Sequence, residues 1–454
     1  MKKALSLTAI AAAVLLSLPA VAADTQPIKP SKTAMATAPV SPATPATAEK
    51  VPAPKSALSI AADAMGAELK AVFGETMTGS PIPYLDKLVD FSYSSETKDK
   101  IAAAFGTSEP YTFKHVPAEG GLLGYQLAGP ANPGVEVEGN QRLSWSAFTA
   151  DVVLDKAGRE MQSKGSMAQA SVRGKGFQMS ANNLSFSAKQ HRVGDNLWLG
   201  SMEGAIESIL AGPDNGGPGV TMENLSLTAS VTQHGTDMDV RYNTGIKAIK
   251  AAGVQIDDVR MVMRLANLDY AGMEKWSKQF KNNPHMKLSE AQQKAMVASL
   301  FKSMGKSAST HGTSFEIDEI SAGFLNNRAV VKGKVSVGKI TDADLVSAEA
   351  YAKKLIVRLQ VTVPVAMITD VSKAFLAKDA EAKKQPMSEE ALAQAGQSVS
   401  DMLVGKVLTS GYAKLENGVI VSQIDFKGGK LSINGKDVPL PSTAAKPVAA
   451  KSKH

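Results

Sequence analysis

The sequence predicts a strand-rich α+β protein built on a wide, curved antiparallel β-sheet, with several amphipathic helices packed on one face. Three observations lead to this fold class. Runs of alternating apolar and polar residues fill residues 142–269 and return in residues 313–363. Short turns rich in Gly and Asn separate these runs, and stretches with helical spacing lie before, between and after them.

The alternating runs indicate strands with one dry and one wet face. In residues 224–234, Leu225, Leu227, Ala229 and Val231 alternate with Ser and Thr. Successive side chains of a strand point to opposite faces, so this pattern fits a half-buried strand and not a helix. The same period recurs around Phe186, Val240, Met261, Val331 and Val357. One wet face is typical of antiparallel sheets.

The turns favour a meander of hairpins. Gly174-Lys175-Gly176, His234-Gly235-Thr236 and Asn417-Gly418 each separate two runs. Asn434-Gly435 supplies two residues that readily adopt positive φ angles, as a two-residue hairpin turn requires. We therefore predict a hairpin at residues 430–438. Residues 106–140 are rich in Gly and Pro and predict irregular connections with short strands.

Helical spacing predicts helices at residues 57–73, around Ile101 and at residues 270–281. Ser289 begins a further helix with a capping box, Ser289-Glu290-Ala291-Gln292. Its apolar stripe is Met296, Leu300 and Met304, which is either ordinary core or a groove for a lipid or a partner.

Two more helices are predicted near the C-terminus. Pro364 suits the first position of one, whose buried side would be Ile368, Val371 and Phe375. The other begins at residues 388–390 and ends at Gly411. Its expected inner face comprises Leu392, Ala395, Val399, Met402 and Leu403.

The N-terminus has the pattern of a secretory signal peptide, residues 1–23. Lys2 and Lys3 precede an apolar run, and small residues predict cleavage after Ala22 or Ala23. We therefore expect a periplasmic protein without a membrane span after cleavage, whereas an uncleaved signal would hold it at the membrane. Residues 24–56 predict a disordered Ala/Pro/Thr linker, and residues 442–454 a disordered Lys/Ala tail. The envelope domain spans residues 57–441, with residues 57–106 as a small helical part.

Composition and motifs argue against several classes of function. The formal net charge is +7 over 454 residues, and the basic residues alternate with acidic ones, so nucleic-acid binding has no support. Cys is absent, and no two His have the spacing of a zinc pair. Gly305-Lys306-Ser307 resembles the end of a phosphate-binding loop, but Leu300 occupies the position of its first Gly. We expect no catalytic, cofactor-binding or metal-binding residues and no enzyme activity.

The C-terminal run from Ile424 to Lys436, Ile-Asp-Phe-Lys-Gly-Gly-Lys-Leu-Ser-Ile-Asn-Gly-Lys, resembles the closing signature of a known family. It is similar to that of the YdgA-like bacterial envelope proteins, domain-of-unknown-function family 945. The repeated long strands and the strand-Pro-helix of residues 355–375 are similar as well. The resemblance covers residues 140–441 and implies an envelope protein, with no functional residues to transfer.

Two functions follow from these patterns. The first is a non-enzymatic structural or partner-binding protein of the cell envelope, whose apolar sheet face is covered by its helices. The alternative is a periplasmic carrier of lipid or another apolar ligand along that face. About ten strands make a sheet of about 48 Å, which four or five helices of about 10 Å could cover. The candidate apolar binding face comprises Val259, Met261, Met263, Met296, Leu300 and Met304. The ligand, the partner and the oligomeric state stay open.

Overall fold

The computed structural model describes residues 56–73, 79–137, 141–194, 197–251, 253–281, 305–345 and 347–439. The predicted signal peptide, the predicted linker up to residue 55, the predicted Lys/Ala tail and the stripe of Met296, Leu300 and Met304 lie outside the described residues. The helices are α1 (Ala57–Phe73), α2 (Ile82–Asp90), α3 (Ser95–Phe105), α4 (Tyr270–Lys281), α5 (Ala348–Ala352), α6 (Val365–Ala382) and α7 (Glu389–Ser410). Residues 305–310 are also helical.

Eighteen strands of the described residues form one antiparallel sheet. They are β1 (Thr112–Val116), β2 (Leu123–Gly129), β3 (Asn132–Val137), β4 (Gln141–Trp145), β5 (Phe148–Leu154), β6 (Glu160–Gly174), β7 (Phe177–Val193), β8 (Leu197–Gly212), β9 (Val220–His234), β10 (Asp237–Ala251), β11 (Val254–Asp269), β12 (Ser314–Phe324), β13 (Asn327–Val337), β14 (Leu355–Pro364), β15 (Lys414–Glu416), β16 (Val419–Lys427), β17 (Lys430–Ile433) and β18 (Lys436–Val438).

The sheet is a meander through most of its width. Strands β5 to β14 pair in sequence order, and β16 follows β14. At one side β6 pairs along its first half with β5 and along its second half with β4. Strands β6 to β11 are each 15 to 17 residues long, about 50 Å at the usual rise per residue. The fold class predicted from the sequence is confirmed.

The sheet has more strands than the ten assumed when its width was estimated from the sequence. Part of the excess lies in residues 106–140, where the short strands predicted among irregular connections are β1, β2 and β3. The predicted C-terminal hairpin is confirmed. Asn434 and Gly435 have φ angles of 52° and 80°, and Ile433 pairs with Lys436 across the turn.

Two hydrophobic cores lie at opposite sides of the sheet. At the N-terminal side, α2 packs on Tyr125, Val152 and Leu154, with partly buried neighbours Ile82, Leu85, Val89, Phe113, Leu123 and Met161. At the C-terminal side, α6 and α7 pack on β14 and β16 around Val404, Ala413 and Ile420, with Val363, Val365, Ile368 and Leu408. Helices therefore pack on the sheet near each of its two ends.

The hairpin of α6 and α7 differs from the prediction in which side it buries. Thr369, Ser372 and Ala380 are the buried residues of α6, whereas Phe375 is 74% exposed and Val371 45% exposed. In α7 the buried residues are Gly396, Ser400 and Val404, and Met402 and Leu403 are exposed. The predicted buried sides were wrong at these four residues. Small residues fill the contact because the helices approach closely: a Cβ atom on Gly396 would lie 3.3 Å from the Thr369 carbonyl oxygen.

Candidate functional site

One face of the sheet is apolar across its whole width. Directly opposed residues of antiparallel strands share a face, so the register traces transverse rows of side chains. One row runs through Tyr125, Val152, Ser163, Ala188, Met202, Ala229, Tyr242, Met263, Ile317, Gly333, Leu359, Ile424 and Ile433. The next rows contain Phe186, Leu227, Met261 and Ile320, and then Leu184, Ile206, Leu225, Ile246 and Val259. We call this surface the apolar face.

Both helical cores pack on the apolar face. Tyr125 and Val152, which contact α2, belong to the first row. Val363, which contacts α6 and α7, lies four residues from Leu359 on β14 and therefore points to the same side. Contacts between helices and strands concentrate on β1 to β3 and on β11 to β14. The described helices thus stand at both ends of the apolar face and leave β7 to β10 between them.

Side chains of β11 and β12 stay partly exposed on the apolar face, although helices contact both strands. Leu265, Phe315 and Ile320 are 36%, 38% and 37% exposed, although all three point to the apolar face. Val259, Met261 and Met263 are half-buried. Leu265 lies directly opposite Phe315, and Met261 directly opposite Ile320, so the exposed groups form one patch. A contiguous apolar patch of this kind is typical of a binding surface.

A transverse crease crosses the apolar face. It is the line of Asn183, Glu207, Asn224, Lys247 and Asp258 on β7 to β11, where one ladder pair is missing between each two neighbouring strands. Asn183, Asn224 and Asp258 have φ angles of 50°, 49° and 47°. Asn and Asp are the non-glycine residues that tolerate this left-handed conformation best.

The crease shifts the apolar alternation by one residue. On β7, β8, β9 and β11 the nearest apolar residues on the two sides of the crease are three positions apart and not two, as the pairs Ala181/Leu184, Ile206/Ile209, Met222/Leu225 and Ile256/Val259 show. On β10, Ile246 and Ala248 flank Lys247 directly. A local irregularity in a strand re-aims the side chains that follow it. Apolar residues beyond the crease can therefore continue the same face.

The opposite face carries charged residues. Glu316 accepts hydrogen bonds from Lys334 Nζ at 2.8 Å and from Arg264 Nε at 2.9 Å. The hydrogen bond from Lys334 and then that from Arg264 outweigh the effect of burial and lower the pKa of Glu316 from 4.5 to about 2. Glu316 in turn raises the pKa of Arg264. This side of β11 to β13 is therefore ionised and hydrated at neutral pH.

The structure describes three of the six residues predicted to form the apolar binding face. Val259, Met261 and Met263 lie together on the apolar face, at consecutive inward positions of β11. The other three, Met296, Leu300 and Met304, lie outside the described residues. The sequence analysis missed Phe186, Met202, Tyr242 and Phe315 as members of the same face. Their alternation was visible, but only the register shows that they align with Met261 and Met263.

The described residues contain neither a helix that could span a membrane nor a cluster of side chains that could hold a metal ion. No helix among them is long and apolar enough to cross a membrane. Within the same ranges, no group of three or more His, Asp or Glu side chains is arranged to hold a metal ion.

Comparison with protein-family models identifies the family of this chain. A family model described as a bacterial protein of unknown function (DUF945) matches residues 72–441, which is most of the chain. The chain belongs to this family. No curated protein matches it significantly. The DUF945 match includes both helical cores, the crease and the apolar face, so these features lie within the family domain.

Proposed function

We propose that this DUF945 chain is an exported, non-enzymatic protein of the cell envelope that binds an apolar ligand, of the class of lipid acyl chains, on its apolar face. The observation that carries the proposal is the patch of incompletely covered apolar side chains on β11 and β12. The described helices pack at its two ends, and Leu265, Phe315 and Ile320 keep more than a third of their surface in water.

The shape of the face suits an extended ligand. Burying about ten methylene groups contributes about 8 kcal/mol before the costs of association are subtracted. The long strands offer rows of apolar side chains over several tens of ångströms, so a chain of this length finds continuous contact. The polar groups around Glu316 lie on the other face and need not be desolvated.

Export is supported by the sequence of the first 23 residues, with its basic start, apolar run and small residues at the cleavage position. N-terminal sequencing of the protein recovered from a periplasmic fraction tests this part. We expect the mature chain to begin at Ala23 or Asp24.

The ligand is tested by native mass spectrometry with lipid extraction, on mature protein purified from its own periplasm. Co-purified lipid at a fixed stoichiometry supports the proposal. The variants Met261→Gln and Ile320→Gln, placed at an opposed pair on the apolar face, should lose that lipid. Val262→Gln is the matched control, because Val262 lies between Met261 and Met263 and points to the other side. A lipid-free mass that added lipid does not change would overturn the carrier function.

A structural or partner-binding role is the second candidate, and a different observation favours it. Phe375 and Val371 lie one turn apart on α6 and are exposed, and Met402 and Leu403 are exposed on α7. Aromatic and Met side chains are enriched at protein interfaces. Crosslinking in intact cells, followed by the same experiment with Phe375→Ser, tests this role. A crosslinked partner that depends on Phe375 would support it, and an unchanged crosslinking pattern would contradict it.

A further inference from the structure

A second groove lies on the polar face, on the far side of the crease from Met261. It has a volume of about 720 Å³ and is bounded by β4, β6, β7 and β8 and by the loop of residues 213–219. Its polar lining includes Arg142, Arg173, Ser144, Ser171 and Ser180. No Asp or Glu is among its lining residues in the described part of the chain.

Two arginines of the groove occupy directly opposed positions of the sheet. Arg142 of β4 is directly opposite Arg173 of β6 in the ladder, and both are exposed. Like charges in directly opposed positions of a sheet destabilise it, unless something of the opposite charge lies between them. The guanidinium group presents its donors as a planar fork that matches carboxylate and phosphate oxygens. Arg142 also lies directly opposite Glu136 of β3, whereas Arg173 lies opposite the uncharged Gln178 of β7, so an oxyanion in the groove would supply the charge that Arg173 lacks.

Backbone geometry fixes the position of Arg142. Its side chain crosses Gly134 of β3 so closely that a Cβ atom there would lie 1.8 Å from Arg142 Nε and 2.6 Å from Cδ. Gly134 also has a φ angle of 154°. Any larger residue at this position would displace the Arg142 side chain.

Hydroxyl groups complete the groove floor. Ser144 pairs with Ser171, and Ser171 with Ser180, so that the three lie in one transverse row beside the arginines. The hydroxyls of Ser144 and Ser171 are hydrogen-bonded to each other at 2.7 Å. The loop above is tied down by Asp214, which accepts a hydrogen bond from the Gly176 N–H at 3.1 Å. Arginine side chains and serine hydroxyl groups are typical hydrogen-bond donors to phosphate oxygens.

We propose that this groove binds a phosphate-type oxyanion between Arg142 and Arg173, either as free phosphate or as the headgroup of an anionic lipid. The site lies on the face opposite to the apolar face and does not depend on the function proposed above. Its ligand is recognised by the two guanidinium groups and the neighbouring hydroxyls.

Calorimetric titration of the full mature chain with inorganic phosphate at low ionic strength tests the site. We expect saturable binding that weakens about tenfold or more in Arg173→Gln, because a charge-assisted bidentate contact is lost. Gly134→Ala should weaken binding as well, although it removes no charge. Arg241→Gln is the matched control, since Arg241 is an exposed arginine of β10 outside the groove lining.

A second readout guards against misfolded variants. Without phosphate, Arg173→Gln should raise the thermal unfolding temperature, because it relieves repulsion between like charges. With phosphate, the wild-type protein should gain stability and Arg173→Gln should not. Binding that is absent at millimolar phosphate, or that falls equally in Arg241→Gln, would overturn the proposal for free phosphate.

Vesicle flotation separates the two sources of the anion. Vesicles of phosphatidylcholine with added phosphatidic acid are compared with phosphatidylcholine alone. Binding to the acidic vesicles that is lost in Arg173→Gln and kept in Arg241→Gln assigns a lipid headgroup. Phosphate binding in solution without flotation assigns a free anion, and failure of both assays refutes the site.

Discussion

The left-handed conformation of Asn224 in the crease leads to a quantitative prediction of fold stability. Its φ angle of 49° is left-handed, its side chain is exposed, and it sits at the centre of the crease. Asn224→Val should destabilise the fold by about 1–2 kcal/mol, because a β-branched side chain in this conformation clashes with its own backbone. Asn224→Gly should be neutral or slightly stabilising. Asn224→Val should thus lower the free energy of unfolding, whereas Asn224→Gly should leave it unchanged or raise it slightly.

Urea denaturation followed by tryptophan fluorescence measures the effect, since Trp145 and Trp198 lie on strands β4 and β8. With a denaturant slope of about 3 kcal/mol/M, the Asn224→Val midpoint should fall by about 0.3–0.7 M. Ser226→Val is the control, two residues along the same strand and also exposed. It should change stability by less than about 0.5 kcal/mol. Equal losses for Asn224→Val and Ser226→Val would refute the role assigned to the left-handed residue.

Three further predictions concern the sheet and its N-terminal core. Gly200→Ala should cost about 2–4 kcal/mol in urea denaturation, since φ is 128° and the added Cβ would lie 2.1 Å from a backbone carbonyl oxygen of β7; Gly204→Ala, whose nearest atom would be 3.9 Å away, should cost nothing. Tyr125→Phe should lose about 1–2 kcal/mol in thermal unfolding, because a buried hydroxyl gives up its 2.6 Å hydrogen bond to Asp86. Because folding lowers the pKa of Glu316 from 4.5 to about 2, its contribution of about 1–2 kcal/mol is present above pH 4.5 and is lost as the pH falls towards 2. Urea titrations across that window should show a shallower loss in the Glu316→Gln variant.

Each of these has an outcome that contradicts it. Equal stability of the two alanine variants of β8 would show that the backbone at Gly200 can relax. A Tyr125→Phe variant as stable as the wild type would mean that the hydrogen bond to Asp86 contributes nothing net. Parallel acid profiles for Glu316→Gln and the wild type would place the acid-sensitive group elsewhere.

Local patterns were enough for the elements and the family. Alternation identified β9 through Leu225 and Leu227, and the Asn434-Gly435 turn identified the last hairpin, because both depend on residues close in sequence. The closing run from Ile424 to Lys436 pointed to the family that the comparison then showed. Helix periodicity located α6 and α7 but misjudged which side is buried. A helix with apolar residues on two sides does not reveal which of them meets its neighbour.

The sequence by itself determined that this protein is a broad antiparallel sheet with helices. Only the tertiary structure decided which side chains lie together on each face of that sheet. Asn183, Asn224 and Asp258 are about 40 residues apart in the chain, and they form a crease only because the register aligns them. Arg142 meets Arg173 for the same reason. Alternation is a property of a single strand, whereas the register, and with it every row on either face, depends on pairing between distant strands.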